Sequence, residues 1–217
     1  ESTHGLLTTV AWQAPTGLTT YALEGSVFVA GAAVQCLRDG LGIIEKSSDV
    51  EGLAKRVSGS DGVVFMPALT GLGAPFWQPD IRGSLFGVTR GTSDANIAYA
   101  TLEAIAFQVK AVLDAMELDM GTAIPALNVD GGAAANDLLL QIQADLIGKD
   151  VLRATNLEST GLGAALLAGL GAGIWSSIEQ LTELNPTEAS FAPSQDRKAS
   201  YMTWLKALGA TEWFHKN

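Results

Sequence analysis

Short runs of β-forming residues alternate with segments of helical periodicity along most of this chain, and this alternation limits the folds open to it. The first two runs, Leu6 to Trp12 and Thr19 to Leu23, flank the turn residues Ala14 to Gly17 and predict an opening β-hairpin. The later runs are each followed by a helical segment. We therefore expect an α/β fold in which helices cover the faces of a sheet.

The elements after the hairpin follow from the spacing of apolar residues. The predicted strands are Val63 to Met66, Leu127 to Val129 and Val151 to Arg153. The predicted helices are Val27 to Leu41, Val50 to Val57, Asp94 to about Met120, Ala133 to Ile147, Thr160 to Trp175 and about Ser194 to Trp213. Ser93 or Asp94 can cap the long helix. No stretch resembles a linker or a repeat, so residues 1–217 are expected to form a single domain.

The longest uncharged run, Ser159 to Ile178, approaches the length of a membrane span. It holds five glycines and is not flanked on both sides by the aromatic or basic residues that anchor a span. We therefore predict a buried helix here and no membrane association.

Composition narrows the classes of function. Of the 217 residues, 47% are hydrophobic, a normal fraction for a folded domain, and 17% are charged, which is below the usual quarter or so. This composition argues against intrinsic disorder. The formal net charge of −10 would repel nucleic acid and anionic lipid. The single cysteine, Cys36, cannot form an internal disulfide, and this favours a reducing cytoplasm. Because His4 and His215 lie near opposite ends of the chain, a histidine-based triad or metal site is not expected.

The most informative local pattern is a predicted strand, the turn Asp130-Gly131-Gly132 and a helix with Asn136 in its first turn. Glycines let a ligand approach the backbone, and the free N–H groups at a helix start favour a phosphate. A nucleotide phosphate is the natural candidate. The alternative is an ordinary strand-to-helix turn in which Asn136 satisfies local backbone groups.

Gly31 and Gln35 lie one helical turn apart in the first predicted helix. The missing side chain at Gly31 would leave space beside the Gln35 amide for a flat base or a ribose. The alternative is a helix contact at Gly31 with Gln35 exposed to solvent, and the spacing alone does not decide between the two.

Several familiar motifs are absent from the sequence. Two Gly-Leu-Gly stretches start like a dinucleotide-binding fingerprint, but Leu166 and Phe76 stand where the third glycine belongs. No Walker A pattern occurs. Four carboxylates near loops of interest are explained by solvation or helix capping, so none is predicted to be a catalytic base. They are Glu24, Asp80, Glu103 and Asp130.

Two stretches of the chain resemble the second signature of the FGGY carbohydrate kinases. Gly83 to Val88 reads GSLFGV, and after seven residues Asn96 to Glu103 reads NIAYATLE. Other stretches are similar to the branch of this family that phosphorylates glycerol. They are Gly5 to Thr9, Tyr21 to Gly25, Thr70 to Trp77 and Asp130 to Ala133.

The resemblance implies an actin/Hsp70-like, ribonuclease-H-like domain with a central mixed sheet flanked by helices. Such a domain is one of two that enclose ATP in this family. Matched by position, Gly31, Gln35, Gly132 and Asn136 correspond to the family's ATP contacts, and they are the residues that the local patterns also selected. The implied reaction uses ATP with Mg²⁺ and converts glycerol to sn-glycerol 3-phosphate and ADP.

The resemblance also implies that part of the kinase lies outside this sequence. In the family, the aspartate that acts as base, the glycerol-binding residues and a Gly-Thr pair at the phosphates precede the motif with which this sequence starts. We therefore expect a C-terminal nucleotide-binding domain without a catalytic or metal-binding residue, inactive alone, from an enzyme that can form a homo-oligomer. Two alternatives stay open: the same half of another sugar kinase, such as a pentulose kinase, and a non-catalytic ATP-binding module.

Overall fold

The computed structural model describes residues 1–13, 17–181 and 184–217. The predicted hairpin turn at Ala14 to Gly17 falls largely outside the described residues. The chain divides into two compact units, the first formed by Glu1–Ile124 with Arg197–Asn217 and the second by Pro125–Asp196. That residues 1–217 form a single domain stays a prediction.

The elements are numbered along the chain. The strands are β1 (Leu7–Gln13), β2 (Thr19–Glu24), β3 (Val64–Met66), β4 (Ser84–Phe86), β5 (Leu127–Val129), β6 (Val151–Ala154) and β7 (Thr187–Phe191). The α-helices are α1 (Gly31–Gln35), α2 (Asp49–Ala54), α3 (Asp94–Met120), α4 (Asp137–Ile147), α5 (Ser159–Gly171) and α6 (Lys198–Lys216). Helix α1 continues as a π-helical turn, and 3₁₀ turns precede α4 and follow α5. Within the described residues, no helix is both long enough and apolar enough to cross a bilayer.

The first unit contains two antiparallel strand pairs and the longest helix. Strands β1 and β2 form the predicted hairpin, and β3 pairs with β4. Helix α3 supplies much of the core, and fully buried Trp204 of α6 packs on Phe107 of α3, with ring centroids 5.7 Å apart. A buried ion pair between Arg197 and Glu103, 2.9 Å long, joins the start of α6 to α3.

Helix α3 has the bounds that its sequence predicts. Ser93 caps it in a reciprocal arrangement with Asn96: the Asn96 N–H donates to Ser93 Oγ, and the Ser93 N–H donates to Asn96 Oδ1. The helix ends at Gly121, whose left-handed φ of 65° is typical of a helix terminus. Local interactions at both ends of α3 therefore determine where the helix begins and ends.

Helix α1 starts later than predicted, at Gly31 instead of Val27. Side-chain and backbone donors from other elements hold the preceding segment in a non-helical path. Gln108 Nε2 of α3 donates to the Val29 carbonyl at 3.0 Å, and the Ala74 N–H donates to the Ser26 carbonyl at 2.9 Å. These carbonyls are therefore engaged outside a helix, which the periodicity of the segment does not reveal.

The second unit is a three-stranded mixed sheet in the order β5-β6-β7. Strands β5 and β6 are parallel, and β7 is antiparallel to β6. Leu140 and Ala144 of α4 pack on Val151 in a small apolar cluster. The structure thus confirms an α/β chain with a mixed sheet, helices and an opening hairpin, while β4 and β7 were not among the predicted strands.

Two predictions for the second unit are wrong. The helix expected from Ala133 begins at Asp137, because residues Gly132–Ala135 form a tighter 3₁₀ turn and Asn136 adopts an extended conformation. The helix expected to be buried is α5, yet only Gly169 of its residues is buried and Leu167 is 61% exposed. Apolar composition favours burial, but it does not supply a neighbouring element to cover the helix.

Candidate functional site

The turn after β5 is held in a defined shape by backbone hydrogen bonds. The Gly131 N–H donates to the Leu157 carbonyl at 2.8 Å, and the Ala134 N–H donates back to the Gly131 carbonyl at 3.0 Å. Gly131 has a φ of 80°, a conformation that side chains rarely adopt. Gly132 does not have a positive φ, so the conformational demand for glycine lies at Gly131, one residue before the predicted ligand contact.

Gly132 faces open space. A Cβ atom built at this position meets no atom within 4 Å, and the residue is exposed. A side chain here would therefore not collide with the protein, and would instead occupy the volume in front of the turn. The backbone at Gly132 is therefore open to a ligand, and contact with a nucleotide stays a prediction.

Asn136 has two different polar ends in this site. Its Oδ1 accepts a hydrogen bond from the Leu139 N–H at 2.9 Å and caps α4, as the structural alternative expects. Because the oxygen faces this donor, the amide NH₂ group points the other way. Within the described part of the chain that NH₂ group has no hydrogen-bond partner, and the residue is half-buried. Asn136 can therefore cap the helix and donate to a ligand at the same time.

Sequence reasoning missed Arg153 on β6. Its Nη1 donates to the Ala134 carbonyl at 3.2 Å and to Asp137 Oδ1 at 2.6 Å, on either side of Asn136. The available signal was a charged residue inside a strand with apolar neighbours. An isolated charge is costly in such a position, so a partner was to be expected.

Gly31 and Gln35 are the first and last residues of α1, and both are exposed. A Cβ atom at Gly31 also meets nothing within 4 Å, so the predicted space beside the helix is present. The structure places this pair in the first unit and the Gly132 and Asn136 pair in the second. The four ATP contacts stay a prediction.

The loop from Thr70 to Trp77 shapes the segment that leads into α1. Besides the Ala74 bond to Ser26, the Trp77 ring lies edge-on to Phe28 with centroids 6.1 Å apart. Trp77 Nε1 also donates to the Gly5 carbonyl at 2.7 Å. The loop therefore anchors the approach to Gly31.

The residues of the family signature form structural contacts. Gly87 has a φ of 72°, and a Cβ atom there would overlap the Gly62 carbonyl. Glu103 is buried, which raises its pKa, while hydrogen bonding to Ser60 and the charge of Arg197 oppose that rise. Arg197 also donates to the Tyr99 hydroxyl at 2.8 Å. Glu103 is thus a paired core carboxylate, which corrects the expectation that solvation or capping explains it.

The described residues contain no group of three or more His, Cys, Asp or Glu side chains arranged to hold a metal ion. Mg²⁺ is commonly held by substrate phosphates and water with few protein ligands. The residues of this chain are compatible with a metal that arrives with a nucleotide.

Comparison with known proteins relates the chain to one enzyme family. Residues 1–172 match the model of the FGGY family of carbohydrate kinases, C-terminal domain. A glycerol kinase from Bdellovibrio bacteriovorus is 53% identical over 211 residues, which are 96% of this chain and 43% of that protein. A glycerol kinase from Aromatoleum aromaticum is 55% identical over 210 residues, 95% of this chain and 42% of that protein. The chain therefore spans less than half the length of these relatives.

Solved structures show the same relationship. The crystal structure of Plasmodium falciparum glycerol kinase with ADP has a TM-score of 0.87 and 36% identity, covering 97% of this chain and 42% of that one. The structure of xylulose kinase from Lactobacillus acidophilus has a TM-score of 0.72 and 22% identity, covering 99% of this chain and 46% of that one. At this identity the comparison shows a shared fold alone.

Proposed function

Since this chain belongs to the FGGY family of carbohydrate kinases, we propose that it is the nucleotide-binding half of an ATP-dependent glycerol kinase. The full-length enzyme would convert ATP and glycerol to ADP and sn-glycerol 3-phosphate. The observation that carries the assignment is the identity of about half of the residues, along nearly the whole chain, to glycerol kinases. The xylulose kinase identity of 22% does not favour a pentulose as substrate.

The proposed nucleotide contacts are Gly31, Gln35, Gly132 and Asn136. Gly31 and Gly132 leave open space in front of the backbone, so that a base, ribose or phosphate can approach it. Within residues 1–13, 17–181 and 184–217, the Asn136 NH₂ group and the Gln35 amide have no hydrogen-bond partner and can donate to a ligand. Their role is to bind and orient the nucleotide, because phosphoryl transfer depends mainly on positioning and on charge stabilisation.

Mg²⁺ is the proposed cofactor with ATP, and it would neutralise phosphate charge when bound. The acceptor glycerol and the catalytic base are assigned to the other half of the enzyme. On this proposal the fold is ribonuclease-H-like, of the actin/Hsp70 type. The single Cys36 supports a cytoplasmic location, and a homo-oligomer of the full-length enzyme is part of the proposal.

Glycerol-dependent ADP release by the full-length protein tests the activity, with xylulose as the competing acceptor. Turnover of glycerol supports the proposal, and turnover of xylulose alone would replace it with a pentulose kinase. In the same enzyme, Gly132→Val should raise the KM for ATP far more than the KM for glycerol, because the new side chain extends into ligand space and its Cβ atom meets no protein atom within 4 Å. Gly209→Val on α6, where a Cβ atom also meets open space, is the control. A larger change in the KM for glycerol would remove Gly132 from the nucleotide site.

Two substitutions at Asn136 separate its two functions. Asn136→Asp keeps an oxygen that caps α4, loses the NH₂ donor and adds a negative charge that repels phosphate, so we expect weaker ATP binding without a loss of thermal stability. Asn136→Ala loses both, and should also lower the stability by about 1 kcal/mol. Unchanged ATP binding in Asn136→Asp would reduce Asn136 to a helix cap.

A further inference from the structure

We propose that Arg153 is a positioning residue that fixes the nucleotide turn, defined here as residues 131–136, in its ligand-binding shape. The inference rests on the proposed function, because it assigns to Arg153 an effect on ATP binding through residues that the nucleotide would touch. Arg153 itself is not assigned a contact with the nucleotide.

Arg153 is placed in the middle of the mixed sheet. On β6 it lies between Val129 of β5 and Ala189 of β7, and its side chain is only 14% exposed. A guanidinium group removed from water at such a position is costly unless its N–H groups find acceptors. The contacts of the Arg153 guanidinium therefore show which groups are held in position by the sheet.

The guanidinium joins the sheet to both flanks of Asn136. Nη1 donates to the carbonyl of Ala134, which is 3% exposed, and to the carboxylate of Asp137, the first residue of α4. Asn136 lies between these two acceptors and presents its NH₂ group from that position. The bond to the Ala134 carbonyl acts on the 3₁₀ turn itself, which an exposed surface ion pair would not do.

Strand β7 restrains the guanidinium from its other side. The Phe191 ring lies 5.5 Å from the guanidinium carbon, and Glu188 Oε2 lies 3.5 Å from Nε. The Nε group has no hydrogen-bond partner in the described residues, so the Glu188 contact is electrostatic. Because the guanidinium lies against both Phe191 and Glu188, the side chain has little freedom to follow the turn if the turn moves.

The main consequence is a difference between Arg153 and a residue needed only for folding. Loss of Arg153 should leave the sheet paired, because β6 remains hydrogen-bonded to β5 and β7 through its backbone. Without Arg153 the nucleotide turn should become more mobile, so that Gly132 and Asn136 no longer keep their positions. The expected result is a selective loss of ATP binding.

The experiment compares Arg153→Ala, Arg153→Lys and Asp137→Asn in the full-length enzyme, with exposed Arg56→Ala on the first unit as the control. Arg153→Ala should raise the KM for ATP about tenfold, the effect of losing charge-assisted hydrogen bonds, with the KM for glycerol unchanged. Arg153→Lys retains the charge without the planar group, and should restore part of the loss. Asp137→Asn should also raise the KM for ATP, but by less than Arg153→Ala, because Asp137 is exposed.

Hydrogen exchange of the chain supplies a readout that does not depend on kinase activity. In Arg153→Ala, the Ala134 and Asn136 amides, which are bonded within the turn, should exchange faster while those of α3 are unchanged. Unchanged exchange in the turn would overturn the proposal, and so would faster exchange with an unchanged KM for ATP. Absence of glycerol-dependent activity in the unmodified enzyme would instead overturn the proposed function. If Arg153→Ala does not fold, Asp137→Asn carries the same two measurements.

Discussion

At the scale of single residues, Asp145 on α4 shows how a buried carboxylate is stabilised in this chain. Its side chain accepts hydrogen bonds from the Ser194 N–H and hydroxyl, from Gln195 and from Gln141. Burial raises the pKa of Asp145, but these donors outweigh it and lower the pKa to about 2. The charged form therefore ties the segment after β7 to α4.

This pKa predicts a loss of stability in acid. The unfolded chain binds a proton at Asp145 near pH 3.8, and the folded chain does so only near pH 2. The stabilisation is present above pH 3.8 and is lost as the pH falls through about 2. Urea unfolding between pH 6 and pH 2 should show a smaller decline for Asp145→Asn than for the unmodified chain. Equal declines would mean that Asp145 does not carry this dependence.

A second carboxylate contributes to the same acid range. The Ser2 hydroxyl lowers the pKa of Asp119, burial opposes this, and Thr3 and His4 lower it further. Asp145→Asn should therefore remove only part of the decline. The sequence does not predict which carboxylates have their pKa lowered by hydrogen bonds, because the donors are distant along the chain. Ser194 and Asp145, for example, lie 49 residues apart.

In the candidate site too, the sequence does not predict contacts between residues that are distant along the chain. Gly31, Gly132 and Asn136 were selected from local sequence patterns, and their contact with a nucleotide stays a prediction, while the structure places Gly31 at the start of α1 and Asn136 at the cap of α4. Arg153 was not selected, since its acceptors at Ala134 and Asp137 are brought near it by the sheet. The hydrogen bond from Gln108 Nε2 to the Val29 carbonyl was also not predictable, because the fold brings these two residues together.

At the scale of elements, α3 was predicted from Asp94 to about Met120 and has these bounds, because its signals are local. Ser93 and Asn96 form the cap, Gly121 ends the helix, and the apolar spacing runs between them. The starts of α1 and α4 were displaced because contacts from other segments compete with the helix. Strands β4 and β7 have only three and five residues and gain their definition by pairing.

The cap of α3 yields a stability prediction. Ser93→Ala removes the hydroxyl that accepts from the Asn96 N–H, and should lower the free energy of unfolding by about 1 kcal/mol. Ser93→Thr keeps a hydroxyl and should lose less. Urea unfolding measures both, with exposed Ser58→Ala as the control. A loss in Ser93→Ala no larger than that in Ser58→Ala would show that the cap does not stabilise the helix.

At the scale of the whole molecule, the burial of a helix does not follow from its composition alone. Helix α5 has the composition of a buried element but remains exposed, with Leu167 61% accessible. The structure therefore confirms the predicted helix and shows that its predicted burial is wrong.

The proposed function also determines what the chain alone can catalyse. Under the proposed function it should not release ADP in response to glycerol, even with saturating Mg-ATP, because the acceptor site and the base lie in the other half. A general base alone contributes about 10²–10⁴-fold to such a reaction. Nucleotide binding should also be weak, since phosphates that face water gain less from charge-assisted contacts than those in a closed site. The measurement is ADP release by the purified chain with and without glycerol, beside the full-length enzyme. Glycerol-dependent release by the chain alone would place a catalytic base within it, at a carboxylate such as Asp80 or Asp130, and would contradict the division of roles proposed for the two halves.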